Sequence, residues 1–266
     1  MAVPADRVVG ADMTSPVLVV VALAAERRAL QGAIRAAGHL RLGMRPAMAG
    51  RLGGREVRLV QAGVGRAAAY ETVVAASRAW GVRAAWSLGF AGGLVDSLRP
   101  GDLVCPAAVL DDVDPSSVLL PADPAHAALC AALRQAELRI DQRAMISVGI
   151  PLRTPEAKRE VHGRCGAVAV EMEAAGVAHA ARELGIPWLA LKAIVDGVED
   201  FLPQALAGCV TPQGDLAWTG LLTASFRGPE FWRSLHRLGR ASRQAGRSLR
   251  HGLDVALAAS AALTSI

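Results

Sequence analysis

Four carboxylates stand where they could do chemistry: Glu26, Glu171, Glu173 and Asp196. Three of them fall within Gly166–Asp200, GAVAVEMEAAGVAHAARELGIPWLALKAIVDGVED, which reads as strand, helix, strand. Ala167–Val170 is a short apolar run, Glu171–Leu184 has helical spacing, and Pro187–Val195 is apolar again after Gly185. Glu171 and Glu173 lie where the first strand passes into its helix, and Asp196 lies where the second strand stops, at Asp196-Gly197. In open α/β sheets the ligand crevice lies outside the carboxyl ends of the strands, so these acids converge on one site. One carboxylate can grip hydroxyls and favour a developing positive charge, while another, kept protonated, neutralises a leaving group. An aspartate with a solution pKa near 4 is a poor acid at neutral pH, so its surroundings must raise it and the site should be partly apolar.

The elements that position these groups alternate strand and helix. Val17–Val21 is a continuous apolar run of the kind buried on both faces. A helix begins at Ala24, which puts Glu26 at the strand-to-helix turn; its plain reading is a first-turn acid favoured by the helix dipole. After a hairpin-like turn at Arg51–Gly54 come a strand at Val57–Gln61 and a helix from Arg66 to Trp80. The turn between them, Ala62-Gly63-Val64-Gly65-Arg66, exposes backbone N–H groups at a helix start, which suits a phosphate or a ribose oxygen. Position 68 is alanine and no acid closes a following strand, so a dinucleotide fingerprint is not supported. Ala84–Leu88 is a third strand, ended by the glycine-rich Gly89–Leu94, in which Phe90 can offer a ring face to a base or sugar or simply pack in the core. Further on, Leu103–Leu110 reads as a strand, Pro124–Ala136 as a helix, Ala144–Ile150 as a strand and Pro155–His162 as a helix. The pattern predicts one α/β domain over residues 15–225, three layers deep (α/β/α) around a mixed, largely parallel sheet. A loose tail, 1–14, precedes it, and a basic amphipathic helical extension, 226–266, follows.

At 266 residues, 52% of them hydrophobic and mostly Ala, Val and Leu, the chain can bury a sizeable core. Cys105, Cys130, Cys165 and Cys209 form no C-x-x-C pair and no histidine is read at zinc-ligand spacing, so free buried thiols and no metal are expected. The start, MAVPADRVVGADMTSP, lacks the form of a signal peptide, and no segment has the roughly 20 apolar residues that span a bilayer. A cytoplasmic location is expected. The net charge of +5 admits anionic partners. Its excess arginine is gathered near the C-terminus.

Four stretches in order now resemble the superfamily of purine nucleoside phosphorylases and methylthioadenosine/S-adenosylhomocysteine nucleosidases. They are ALAAERR, QAGVGRAAA, SLGFAGGLVDSLRPGDLV, and VAVEMEAAGVAHAA with KAIVDGVED. The resemblance implies a nucleoside phosphorylase-like fold and cleavage of a purine N-glycosidic bond. It implies that Met172 and Glu173 hold the ribose and that Asp196 protonates the departing purine. Phe90, Ala91 and Gly92 would border the base, and Glu26 would activate water, as in the hydrolytic members. Gly63, Gly65, Arg27 and Arg66 are the candidates for a phosphate. No cofactor is implied, and phosphate as a co-substrate stays open. Two polar groups usual in the family are missing, since Val195 stands before the aspartate and Ala62 before the first glycine pair, while Phe90 occupies the region where trimeric phosphorylases present an arginine.

Beyond Asp200 the likeness to small nucleosidases ends. Over Phe226–Leu257, Phe231, Leu235, Leu238, Ala245, Leu249 and Leu253 fall at helical spacings, with arginines between them and Trp232 near the start, which makes it unlike a simple closing helix. This ending is similar to that of the hopanoid-associated phosphorylases. That similarity implies adenosylhopane as substrate, cleaved to adenine and a ribosylhopane, an anionic membrane surface as partner of the helix, and a peripheral position at the inner membrane. A homodimer is expected; nucleic acid is not, because aromatic residues are not interleaved with the charges. The rival readings are a methylthioadenosine/S-adenosylhomocysteine nucleosidase and a non-catalytic nucleoside- or lipid-binding module.

Overall fold

The computed structural model describes residues 15–52, 54–202, 211–215 and 229–258. The tail 1–14, Cys209, Phe226 and the last residues, 259–266, lie outside them, as do the side chains of Phe231, Trp232 and Leu235.

Strand β1 (Val17–Val21) is buried along its whole length. Its side chains divide by the two-residue period of a strand: Leu18 and Val20 enter one apolar cluster, Val17, Val19 and Val21 the other. β1 lies between β4 (Arg55–Gln61) and β5 (Ala84–Gly93), parallel to both. β5 also pairs in parallel with β12 (Trp188–Asp196), and its last two residues pair antiparallel with β11 (Ala169–Glu171). The antiparallel step turns the end of β11 back over the carboxyl end of β5, so acids distant in sequence meet there. Outward from this centre lie a hairpin of β2 (Arg35–Leu42) and β3 (Arg45–Leu52) beside β4, and β10 (Met145–Ser147), β7 (Val109–Asp111) and β8 (Val118–Leu119) beside β11. The short β6 (Leu103–Val104) and β9 (Ile140–Asp141) extend from β12.

Helices cover both faces. On one, α2 (Arg66–Trp80) and α5 (Ala174–Leu184) present Ala69, Val73, Ala76, Val177, Ala178 and Ala181, small residues that allow close helix-on-sheet contact. On the other lie α1 (Ala24–Gln31), α3 (Asp123–Gln135) and α6 (Pro229–Ala258), through Leu30, Leu129, Leu133, Leu249 and Leu253. α4 (Pro155–Cys165), started by Thr154 accepting from the Ala157 N–H, covers a smaller cluster around Ile146 and Val170. The result is the expected three-layer α/β/α domain around a mixed sheet whose parallel pairings hold the middle.

Several expected elements change in detail. The strand foreseen over Leu103–Leu110 is two, β6 and β7, because Pro106 between them has no N–H to give the ladder. The strand read over Ala144–Ile150 shortens to Met145–Ser147. The β2–β3 hairpin was not foreseen, as its arginine- and alanine-rich sequence shows little alternation.

The C-terminal segment needs the largest correction. Ala241, Ala245, Leu249 and Leu253 of α6 are all buried, the last three in the same cluster as β1 and α1. From Ala241 onward α6 is therefore a closing helix, and that part of its apolar stripe faces the domain. Arg233, Arg237, Arg240, Arg243, Arg247 and Arg250 are exposed on its other side. No helix among the described residues is long and apolar enough to cross a membrane.

Candidate active site

The carboxyl ends of β1, β5 and β12 and the start of α5 surround a cleft of about 240 Å³. Glu26, Phe90, Ala91, Gly92, Met172, Glu173 and Asp196 all line it, together with Glu171. Most of the remaining wall is apolar, with Leu23, Val148, Leu152, Val195 and Leu202 among it. This is the partly apolar setting that a protonated carboxylate requires.

Glu26 is buried at the start of α1. Its Oε2 accepts from the N–H groups of Ala22 and Leu23, each at 2.8 Å, and its Oε1 accepts from the Phe90 N–H at 2.7 Å. It thus caps α1, as its position in the first turn suggested, and also faces the cleft. A carboxylate offers about four acceptor positions, so three backbone donors leave one for the cleft. Burial raises its pKa above the usual carboxylate range, against the opposing effects of Lys192 and the three N–H groups. Room for this carboxylate depends on Gly89, where a Cβ would lie 2.5 Å from Oε1.

Glu171 and Glu173 divide their work. Glu171 accepts from the Glu173 N–H at 3.0 Å and the Ala174 N–H at 2.9 Å, capping α5, so the helix starts at Ala174 and not at Glu171. It also accepts from the Ser147 hydroxyl and pairs with Lys192 Nζ at 2.9 Å. Glu171 is thus a helix-start acid that also carries a buried ion pair. Glu173 Oε1 accepts from the Gly65 N–H at 2.8 Å, which ties the second motif to the fourth. Burial, and then the charge of Glu171, push the Glu173 carboxyl up to about 8. Lys192 is buried within β12. Burial alone would lower its pKa, but Glu171, Glu173 and Glu26 together hold it above the ordinary value. One ammonium thus serves three carboxylates.

Asp196 ends β12 at a break in register between Ile194 and Asp196, an irregularity that re-aims the side chain. It packs over Gly92, whose added Cβ would lie 3.1 Å from Asp196 Oδ2. Lys158, on the buried face of α4, donates to Asp196 Oδ2 at 2.5 Å, to Gly197 O at 2.6 Å and to Asp200 O at 3.1 Å. Burial raises the pKa of Asp196 and Lys158 opposes the rise; the net direction is upward.

The candidate phosphate ligands are not brought together. Arg27 Nε donates to Gln61 Oε1 at 3.0 Å, and Arg66 Nη1 donates to Asp111 Oδ2 at 2.6 Å in a separate cavity that also holds His179. Gly65 spends its N–H on Glu173, and neither Gly63 nor Gly65 lines the cleft. Val64 does so in their place. Phe90 is half-buried, lining the cleft while packing against the α1–α6 cluster.

Lys158 and Lys192 were missed from sequence. Lys192 had a signal: a lone charge within the apolar Trp188–Val195 run needs a buried partner. Lys158, beside Glu156, Arg159 and Glu160, had none.

Residues 12–208 match the family model of the phosphorylase superfamily. No curated protein matches the chain. Among solved structures, a futalosine hydrolase of Helicobacter pylori superposes with a TM-score of 0.74 at 17% identity, over 92% of this chain and 98% of that one. A 5'-methylthioadenosine/S-adenosyl homocysteine nucleosidase of the same organism gives 0.71 at 18%, over 91% and 98%. The corresponding nucleosidase from S. pneumoniae, bound to a transition-state inhibitor, gives 0.72 at 17%, over 92% and 99%. At these identities the likeness establishes the fold.

Proposed function

The chain belongs to the phosphorylase superfamily, and on that premise we propose that it cleaves the N-glycosidic bond of a 5'-substituted adenine nucleoside, with water as the nucleophile. The observation that carries this reading is the convergence of Glu26, Glu173 and Asp196 on one cleft. Asp196, its pKa raised by burial, gives a proton to the purine as the bond from the sugar breaks. Lys158 holds Oδ2, and Oδ1 is the oxygen left for the base. Glu173, with Oε1 on the Gly65 N–H, turns its other oxygen to the ribose hydroxyls and stabilises the positive charge that develops on the sugar. Glu26 takes a proton from water as its oxygen bonds to the anomeric carbon. Water is favoured over phosphate because Glu26 faces the cleft while Arg27 and Arg66 are engaged elsewhere.

For the 5' group the reading is a hopane lipid, so that the substrate is adenosylhopane. Its support is the resemblance of the C-terminal ending to hopanoid-associated phosphorylases and the row of exposed arginines on α6. Those arginines would meet an anionic leaflet at about 1 kcal/mol each while the nucleoside end enters the cleft. A soluble methylthioadenosine/S-adenosylhomocysteine nucleosidase is the rival reading, favoured by the apolar wall formed by Val148, Leu152 and Leu202. Adenine release from adenosylhopane in vesicles and from 5'-methylthioadenosine, compared at equal concentration, separates the two. A preference for the soluble nucleoside refutes the lipid-linked reading.

A further inference from the structure

Away from the cleft, three soft donors meet between α3 and the segment that follows β6. The Cys105 and Cys130 sulfurs and a His126 ring nitrogen all lie within 4.8 Å of one another. Cys105 follows Val104 at the end of β6 and is anchored by its N–H to Asp141 O at 2.9 Å. His126 and Cys130 stand one turn apart on α3, a spacing that puts both side chains on the same helix face. Contrary to the expectation from sequence, a histidine does stand at ligand spacing, in His126-x-x-x-Cys130.

We infer that Cys105, His126 and Cys130 form a binding site for a thiophilic divalent cation, with zinc the ion that fits best. Bond lengths of about 2.3 Å to sulfur and 2.0 Å to nitrogen at a tetrahedral angle separate two such ligands by about 3.5 Å. Cys130 Sγ and His126 Nε2 are 3.6 Å apart. Both thiols are buried in the apolar cluster beneath α6, so two thiolates balanced by one divalent ion form a neutral unit there, whereas uncompensated thiolates would not be tolerated. The half-buried imidazole leaves an approach from solvent. Its Nε2 also lies 3.1 Å from Cys105 O, and the metal takes that nitrogen from the carbonyl. Binding releases the protons of both thiols and leaves a fourth position for water. The ligands come from α3 and from the residue that follows β6, so the ion works as a staple joining the two. β6 pairs with β12 through Val104 and Lys192, so the staple lies one residue from the strand that carries the buried ammonium of the cleft.

The test is titration of the chelator-treated full-length chain with cobalt(II), then with zinc(II). The site predicts one equivalent of cobalt, a thiolate-to-cobalt charge-transfer band, the strong visible bands of a tetrahedral centre, displacement by zinc and a rise in melting temperature. Cys130→Ser should abolish the bands and Cys165→Ser should leave them unchanged. His126→Gln, at a half-buried position that tolerates change, should weaken binding by more than about tenfold while the fold survives, and it decides the matter if Cys130→Ser does not fold. No tetrahedral bands, or bands retained at full affinity in His126→Gln, overturn the proposal. So does a chain whose Cys105 and Cys130, once reduced, take up no metal and return only to a disulfide.

Discussion

Lys158 Nζ lies 2.5 Å from Asp196 Oδ2, and both side chains are buried. The proposed acid is therefore one half of an ion pair. Removing Lys158 takes away the group that opposes the burial-driven rise of the Asp196 pKa. In Lys158→Met the alkaline limb of the kcat/KM profile should move to higher pH, because Asp196 keeps its proton longer. Breaking a buried pair also costs about 3–5 kcal/mol of stability, so the profile is measured below the variant's lowered melting temperature. A limb that stays put or moves down contradicts the pairing's role.

Asp196→Asn keeps size but cannot deliver a carboxylic proton. Turnover should fall by about 10²–10⁴ with a smaller change in KM. Steady-state adenine release measures this, and activity close to that of the wild type removes Asp196 from the mechanism.

Glu173 sits near 8 through burial and the charge of Glu171. If the ionised form stabilises the sugar cation, kcat/KM rises with pH up to that region, and Glu171→Gln shifts the rise to lower pH. The stability effect has the opposite sense. A carboxyl whose folded pKa lies above its unfolded value of 4.5 contributes fully below pH 4.5 and loses that contribution as pH climbs through about 8. Glu173→Gln should flatten this part of the melting temperature's dependence on pH. It should also lose discrimination between ribose and 2'-deoxyribose nucleosides.

Gly89→Ala puts a methyl 2.5 Å from Glu26 Oε1, at a φ of +155° that side-chain-bearing residues rarely adopt. Glu26 must leave its three N–H donors, and turnover should drop by about tenfold or more. Gly38→Ala, which meets nothing within 4 Å, is the matched control. Equal activity in the two variants contradicts the placement of Glu26.

On α6, the buried and exposed faces should separate experimentally. Leu249→Ala should cost about 2–5 kcal/mol, measured by denaturant unfolding, because Leu249 is fully buried. Replacing Arg240, Arg243 and Arg247 together by glutamine should leave stability nearly unchanged and weaken sedimentation with anionic vesicles. Vesicle binding that survives the triple substitution removes the membrane role of this face.

The layers and the cleft were legible in sequence because their signals are local. Val17–Val21 announces a doubly covered strand, and the turn at Gly63–Gly65 marks where β4 has ended. Gly89–Gly93, expected as a turn after Leu88, instead continues β5 to Gly93, because its backbone pairs with β12 and β11 and pairing partners cannot be read from local sequence. What stayed hidden depends on tertiary pairing. Nothing near Lys158 says that Asp196 lies beside it, and nothing near Arg27 or Arg66 says that they bond to Gln61 and Asp111, since these partners are set by packing. The Ala245, Leu249 and Leu253 stripe showed that α6 has an apolar face, but spacing cannot say whether that face meets a domain or a lipid.

The central claim is tested most directly by incubating the purified full-length chain with a 5'-substituted adenine nucleoside, with and without phosphate, and identifying both products by mass. The account predicts adenine and a free 5'-substituted ribose at the same rate in both conditions, and neither product with Asp196→Asn on the same timescale. Adenine release only with phosphate, together with a ribosyl 1-phosphate, would contradict water as the nucleophile. No adenine release under either condition would contradict the proposed function as a whole.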